Sequence, residues 1–232
     1  GMFNFFQSSP ILNNVVFSGN IADDPFDDPY SDDGKGGGMF NQQFSSPVLT
    51  NVTFDNNSSE WFGGGMVNDF DSSPTLTEVT FSNNSAIQMG GGMVNLDSTP
   101  TLTNVIFNGN TTTNEFGMGG GMVNSGTNAI LMNVTFSNNI TQDQGGGMVN
   151  FDSNPSLTNV TFSGNSATSY EGEGGGLFNF GFSSPTLTNV TFTGNSATIV
   201  GGGMSSWENS SPIITNSIFW GNTPDQINNA PL

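Results

Sequence analysis

Carboxylates are the residues whose type and spacing could do chemistry in this chain. The stretch IADDPFDDPYSDDGKGGG holds six aspartates, all between residues 21 and 35. Crowded carboxylates repel one another, and a hard cation such as Ca²⁺ would relieve that repulsion. Their spacing does not match an EF-hand loop, so a solvated acidic loop is preferred and a calcium site is the alternative. The six are Asp23, Asp24, Asp27, Asp28, Asp32 and Asp33.

Three further aspartates recur at matching positions before a proline turn. Two carboxylates at a suitable separation can hydrolyse a glycosidic bond. Recurrence favours a solvated column over a unique pair, so we expect no catalysis. Cleavage of acidic polysaccharides by a lyase would need Arg or Lys, and Lys35 is the single basic residue in a chain without Arg or His. The three recurring residues are Asp71, Asp97 and Asp152.

Aromatic residues collect in the segments predicted to be loops. Rings in such positions stack on sugars in glycan-binding proteins, or they cover local apolar surface. Both roles stay open, and neutral glycans are therefore candidate ligands. The residues are Tyr30, Trp61, Phe62, Phe116, Tyr170 and Trp207.

Threonine pairs of the form T-x-T raise ice binding as another alternative. They occur at Thr75, Thr101 and Thr186, but Val48 and Ile130 interrupt the series. A broken column is a poor template for ice, so this alternative is weak.

The charge balance excludes several partners. Nineteen acidic residues against one basic residue give a formal net charge of −18. Such a surface repels nucleic acids and anionic lipids. The chain has no Cys, which excludes disulfides and thiolate metal sites, and no stretch approaches the roughly 20 apolar residues of a membrane span. Low charge with abundant Asn, Ser, Thr and Gly predicts an extracellular or cell-surface location, with no cofactor apart from the calcium alternative.

Two short motifs alternate along the whole chain, which indicates an internal repeat of about 29 residues. One is an apolar residue after a glycine run, and the other is F-x-x-N. We therefore predict one domain over residues 1–222, an acidic insertion at 21–35, and a short tail at 223–232.

Each repeat is predicted to form three short strands and three bends. GGGMVN, TLT and VTF are the strands, separated by a proline turn, an Asn bend and an SNN or SGN turn. Asn tolerates the left-handed conformation that a sharp bend needs, and Glu78 takes its place in one repeat. The pattern predicts an all-β, three-sided β-solenoid of about eight rungs, some 35–40 Å long at the usual strand spacing.

Equivalent residues of a solenoid stack in columns, and columns of Met, Leu and Phe are predicted to fill the core. A soft-metal ligand column is the alternative for the Met residues, but Leu177 in the same column argues against it. The residues one step after each Met are also apolar in most repeats, so the first sheet is apolar on both faces and something should cover it. The predicted core ladder is Met39, Met66, Met93, Met122, Met148, Phe54, Phe81, Phe107, Phe136, Phe162 and Phe192.

The paired motifs, joined by SSPTLTNVTFSGNSA, resemble the repeats of bacterial surface proteins. The polymorphic outer membrane proteins of chlamydiae carry both motifs, as do large secreted repeat proteins with surface-anchoring domains. The resemblance covers residues 1–222 and implies a right-handed parallel β-helix that serves as an adhesin, stalk or scaffold. This chain departs from the family pattern in having Gly where Ala is common, and Val or Ile where Cys often precedes T-F.

The first and last repeats lead to an expectation about assembly. Gly1 aligns with the third glycine of a GGG run, and ten residues follow Asn222. We expect either a piece of a longer surface stalk or adhesin, or a subunit that stacks end to end into a filament. Self-association is the predicted partnership, with a glycan-binding adhesin module as the alternative function.

Overall fold

The computed structural model describes residues 1–24 and 32–229, and over those residues the chain winds as an all-β parallel solenoid without helices. Every strand pairs in parallel with the equivalent strand one turn away, and the four sheets contain nine, eight, eight and seven strands. These described residues make about seven turns. Many of the short strands are followed by a residue with positive φ, such as Asn51, Asn83 or Gly126, which bends the backbone sharply.

The sheets are named A to D in the order in which the chain visits them. Sheet A consists of Met2–Phe5, Met39–Gln42, Met66–Asp69, Met93–Leu96, Met122–Ser125, Met148–Phe151, Leu177–Phe180, Met204–Ser206 and Ile227–Asn229. Sheet B consists of Ile11–Asn13, Val48–Thr50, Thr75–Thr77, Thr101–Thr103, Ile130–Met132, Ser156–Thr158, Thr186–Thr188 and Ile213–Thr215. Sheet C consists of Val16–Ser18, Thr53–Asp55, Thr80–Ser82, Ile106–Asn108, Thr135–Ser137, Thr161–Ser163, Thr191–Thr193 and Ile218–Trp220. Sheet D consists of Ile21–Ala22, Ser58–Ser59, Ser85–Ala86, Thr111–Thr112, Ile140–Thr141, Ser166–Ala167 and Ser196–Ala197.

Sheet D distinguishes this cross-section from the three-sided one that the sequence predicts. Its strands have two residues each, such as Ser85–Ala86. Two residues are too few to show the alternation that marks a strand, so the sequence suggested a plain turn there. The predicted tail also contains structure, because Ile227–Asn229 adds a ninth strand to sheet A beside Met204–Ser206.

The core is built from stacked apolar columns. Phe rings from consecutive turns stack with centroids 4.4–4.9 Å apart and planes within 7° of parallel. Leu177 pairs with Met148 and Met204, so the Met column accepts an ordinary apolar residue. The predicted ladder residues lie in this core at 0% exposure: Met39, Met66, Met93, Met122, Met148, Phe54, Phe81, Phe107, Phe136, Phe162 and Phe192.

Buried asparagines satisfy the backbone where the chain turns from sheet C to sheet D. Asn139 is typical: its Oδ1 accepts from the backbone N–H of Asn110 at 3.0 Å, and its Nδ2 donates to the carbonyl of Phe107 at 3.0 Å and to Oδ1 of Asn165 at 2.9 Å. Because each amide bonds to the next turn, the buried bend groups find partners that no strand supplies. The ladder contains Asn20, Asn57, Asn84, Asn110, Asn139, Asn165, Asn195 and Asn222.

From Phe40 onwards, the outer face of sheet A is covered by the chain itself, whereas Phe3 in its first strand is exposed. Its outward residues form a second apolar cluster, in which Val67 and Val94 are at 0% exposure. Single bridging residues ahead of the glycine runs pair with one another in parallel from turn to turn, and Phe62, Met89 and Met118 among them pack against this cluster. The bridging residues are Lys35, Phe62, Met89, Met118, Gln144, Glu173 and Val200, called the cover ladder below. The predicted cover is therefore a fifth run of backbone rather than another molecule.

Candidate functional site

The acidic insertion places three of its described aspartates around one pocket, which Asp23, Asp32 and Asp33 line together with Lys35. Asp24 is buried and accepts a hydrogen bond from the Trp61 indole at 3.2 Å, while its N–H donates to Glu60 at 2.7 Å. Asp32 is exposed, and its carboxylate accepts from Lys35 at 3.3 Å and from Gln42 at 2.9 Å. The remaining candidates are Asp23 and Asp33, both exposed, and Asp27 and Asp28, which lie outside the described residues.

A metal centre is not assembled within the described part of the chain. No group of three or more His, Cys, Asp or Glu side chains in residues 1–24 and 32–229 could hold a metal ion. The calcium alternative for the insertion stays a prediction, since part of that segment lies outside these residues.

The predicted aromatic contacts are placed mainly in packing positions. Trp61 is 8% exposed. Phe62 belongs to the cover ladder and packs on the outward cluster of sheet A. Trp207 is half-exposed and donates its indole N–H to Glu173. Tyr30 lies outside the described residues. For Trp61 this placement favours packing over sugar stacking, and glycan binding by the group stays a prediction.

The recurring aspartates serve the turn that follows sheet A. Asp71, Asp97 and Asp152 are all exposed and have φ of 58°, 46° and 44°. Asp tolerates this left-handed conformation better than most residues. Their recurrence therefore has a backbone explanation.

The threonine series lies on the outer face of sheet B and is interrupted there. Thr75 pairs with Thr101 and with Val48, and Thr101 pairs with Ile130. The column therefore changes from hydroxyl to aliphatic within one ladder, which does not provide the regular array expected of an ice template.

Loop length varies in an ordered way between sheet D and the cover ladder. The connections 60–62, 87–89, 142–144 and 198–200 have three residues each, whereas 113–118 and 168–173 have six. The two longer loops lie two turns apart, with the short loop 142–144 between them. Adjacent turns of a parallel sheet are about 4.8 Å apart, so the backbones of the two longer loops are separated by about 10 Å.

This arrangement makes a notch of about 260 Å³ on the side of the rod. Asp143 from the short loop forms its floor. Each longer loop supplies one aromatic ring and one carboxylate, in opposite order along the chain. The notch is lined by Glu115, Phe116, Asp143, Ser169, Tyr170 and Glu171.

Both walls are held by hydrogen bonds within their own loops. In the first, the Phe116 N–H donates to the Asn114 side chain at 2.9 Å. In the second, the Glu171 N–H donates to the Ser169 hydroxyl at 3.2 Å. The rings of Phe116 and Tyr170 are 67% and 86% exposed, so their faces are open to a ligand.

Asp143 is a buried carboxyl group with a strongly perturbed pKa. It is 8% exposed, and its Oδ1 has no hydrogen-bond partner among residues 1–24 and 32–229. Burial, with the nearby charges of Glu171 and Glu173, raises the pKa of Asp143 from 3.8 to about 6. Burial also raises the pKa of Glu173, although hydrogen bonds from Trp207 and Ser205 partly oppose it. The notch therefore holds a carboxylate that lacks a counter-charge.

The raised pKa of Asp143 predicts how the stability of the fold changes with pH. A carboxyl group with a higher pKa in the folded state stabilises the fold below its unfolded pKa, and that stabilisation is lost as pH rises through the folded pKa. For Asp143 the window runs from about pH 4 to about pH 6. We expect D143N to raise the melting temperature at pH 7 and to leave it almost unchanged at pH 4. Thermal unfolding of both proteins between pH 4 and 7 measures this.

Asp152→Asn is the matched control, since it removes one negative charge at an exposed site. It should change the melting temperature by less than D143N at pH 7. D143N would contradict this prediction if it melted at a lower temperature than the unmodified protein at pH 7. The ionised Asp143 carboxylate would then be stabilised by a contact other than those described above.

Sequence reasoning did not single out Asp143. The sequence predicts Phe116 and Tyr170 as loop aromatics, but no motif links them to the acidic residues near them. The available signal is the spacing between each sheet D strand and the next glycine run, which alternates between short and long. Only the stacked turns show that Asp143 lies between the two longer loops.

Four parallel sheets, stacked Phe and Asn columns and a repeating register define a β-solenoid repeat protein. In comparisons with known families, the Chlamydia polymorphic membrane protein (Chlamydia_PMP) repeat matches residues 159–179. That segment contains one F-x-x-N motif and the following glycine run, so the chain resembles these surface-type repeats in its defining motifs. Comparisons with curated proteins and with solved structures gave no significant match.

Among the described residues there is no helix of the length and apolarity needed to cross a membrane.

Proposed function

We propose that the chain is a non-catalytic structural segment of a cell-surface or extracellular rod, wound with the right hand that parallel crossovers prefer. Surface placement is supported by the match to a polymorphic membrane protein repeat and by the low content of charged residues, 9%. In this role the solenoid acts as a stalk, spacer or adhesin scaffold.

The observation that carries the proposal is the unbroken stacking from turn to turn. The Phe stack runs from Phe17 to Phe219, and the Asn ladder runs from Asn20 to Asn222. Each turn is bonded to its two neighbours along the axis, as in other solenoids. Bending the rod would stretch backbone ladders and separate stacked rings, so the assembly resists bending.

Stacking of further turns is part of the same proposal. The register Met–apolar–Asn is repeated from Met39↔Met66 to Met122↔Met148 without a shift. A turn of the same sequence pattern, from a longer chain or from a second copy, can pair in that register. The net charge of −18 opposes stacking between copies, so salt should favour it.

The experiment is to determine the size and form of the native protein at the cell surface. Antibodies raised against the purified chain are used for immunoblotting, for surface labelling of intact cells, and for electron microscopy of native material. We expect surface labelling together with either a polypeptide much larger than 24.3 kDa or a 24.3 kDa subunit in filaments.

Three results would overturn the proposal. They are an intracellular signal, a native 24.3 kDa chain that stays monomeric at high concentration and high salt, and release of sugars from glycan substrates by the purified chain.

A further inference from the structure

The notch between loops 113–118 and 168–173 has the features of a binding site that the rod itself does not require. Its floor is Asp143, which is more than nine-tenths buried and has Oδ1 without a partner among the described residues. An unpaired buried carboxylate oxygen costs free energy that a structural role would not retain without compensation. Because Oδ1 is closed off from solvent, a cation in the notch would offset the charge of this carboxylate rather than hydrogen-bond to that oxygen.

The charges around the notch indicate the sign of that ligand. Glu115, Asp143 and Glu171 line it, and Glu173 lies close to Asp143. The single basic side chain of the sequence, Lys35, donates to Asp32 in the insertion. No cationic side chain of this molecule is therefore free to neutralise the notch, and a cationic guest would.

The aromatic walls indicate the kind of cation. Since Glu115 precedes Phe116 and Glu171 follows Tyr170, ring and carboxylate alternate on the two sides of the notch. An organic ammonium group gains from both, through charge-assisted hydrogen bonds to carboxylates and through attraction to ring faces. A bare divalent metal ion would need several carboxylates converging on one point, and the described residues provide no such group.

We propose that the notch binds a primary alkylammonium group, with Asp143 as its counter-ion and with Phe116 and Tyr170 flanking the alkyl chain. This chemistry is that of a lysine side chain on a partner protein, or of a free aliphatic amine. The site does not depend on the rod function and would give the rod a lateral contact point.

Binding should depend on pH in a defined direction. The groups facing Asp143 are Glu115 and Glu171 on the walls and Glu173 on the cover ladder, together with Tyr170. As pH rises through about 6, Asp143 ionises and its attraction for an ammonium group increases. Affinity should therefore be higher at pH 7.5 than at pH 5.

The test uses the full chain and two probes, n-butylammonium chloride and Nα-acetyl-lysine N-methylamide. Binding is followed by NMR chemical-shift changes at the amides of 113–118 and 168–173. We expect both probes to shift these amides and the Nε-acetylated lysine probe to leave them unchanged. Binding of the lysine amide alone would identify a peptide source, whereas equal binding of both would identify the ammonium group as sufficient.

Variants distinguish binding in the notch from general attraction of a cation to the negatively charged surface. D143N should weaken binding about tenfold, the effect of losing a charged hydrogen-bond partner. D152N, which removes the same charge at an exposed turn, should leave the affinity unchanged. F116A combined with Y170A should also weaken binding while far-UV circular dichroism confirms the fold.

Any of four outcomes would overturn the proposal. These are equal binding of the acetylated probe, unchanged affinity in D143N, binding of a neutral methyl glycoside in place of the amines, and Ca²⁺ binding that requires Asp143 and excludes the amines.

Discussion

Asn139→Ala is expected to lower the free energy of unfolding by about 4 kcal/mol or more, because one side chain satisfies several buried groups at once. Its removal leaves the backbone N–H of Asn110, the carbonyl of Phe107 and Oδ1 of Asn165 short of a partner. The amide of Asn110 also loses its acceptor. Each of these groups is buried, so water cannot replace the lost bonds without opening the rod. Urea unfolding followed by circular dichroism measures the change.

Asn138→Gly is the matched control next to it. Asn138 is exposed, its φ of 53° suits glycine, and its side chain makes a single long hydrogen bond of 3.3 Å to Asn108. We expect this change to cost less than about 1 kcal/mol. Similar losses of unfolding free energy in the two variants would mean that the buried Asn139 amide stabilises the fold no more than the exposed Asn138 amide does. That result would contradict the bonding described above.

Loss of the Asn139 side chain should also destabilise the neighbouring turns along the axis of the solenoid. The amide column is continuous, and Asn110 and Asn165 bond through Asn139. Hydrogen exchange of the Asn139 variant should therefore be faster in the turns on both sides of residue 139 than in the outermost turns. Uniform exchange rates along the rod would indicate that the turns unfold as one unit.

The columns of the fold could be predicted from the sequence because identical residues recur in them. F-x-x-N places Phe in the core and Asn at a bend in every repeat, and a residue that recurs at a fixed spacing must meet its equivalents once the turns stack. The Asn bend between sheets B and C was also predictable. Asn51 and Asn104 have φ of 51° and 56°, and Glu78 has a φ of 57° at the equivalent position. Glu78 takes the place of Asn in one repeat, yet its backbone follows the Asn pattern, and only the kind of side-chain amide bond that Asn133 makes to Asn104 at this bend is lost there.

Sheet D and the cover ladder could not be predicted because neither has a consistent residue type. Positions of the cover ladder include Phe62, Gln144, Glu173 and Val200, which share no polarity. These residues pair through their backbones with the next turn, and such pairing does not require one residue type. The notch could not be predicted for a related reason. It depends on the difference in length between neighbouring loops rather than on a sequence motif.

The glycine runs have a packing role that becomes clear at their second position. A Cβ on Gly146 would lie 2.5 Å from the carbonyl oxygen of Gly175, 2.5 Å from the backbone nitrogen of Ser166 and 2.6 Å from its carbonyl oxygen. All three are backbone atoms of the following turn, so no side chain can move aside. Glycine is required here because the turn-to-turn pairing of sheets A and D brings two backbones together.

Gly146→Ala is therefore expected to destabilise the rod by about 3 kcal/mol or more, since relief of the clash requires separating paired strands. Gly194→Ala is the control. Gly194 has φ of +62° and nothing within 4 Å of its added Cβ, so alanine there meets only the left-handed backbone penalty of about 1–2 kcal/mol. Urea midpoints of the two variants compare the steric cost with the conformational one. If Gly194→Ala proves the more damaging change, backbone conformation rather than close approach explains the glycines, and the second position of each run should then accept alanine.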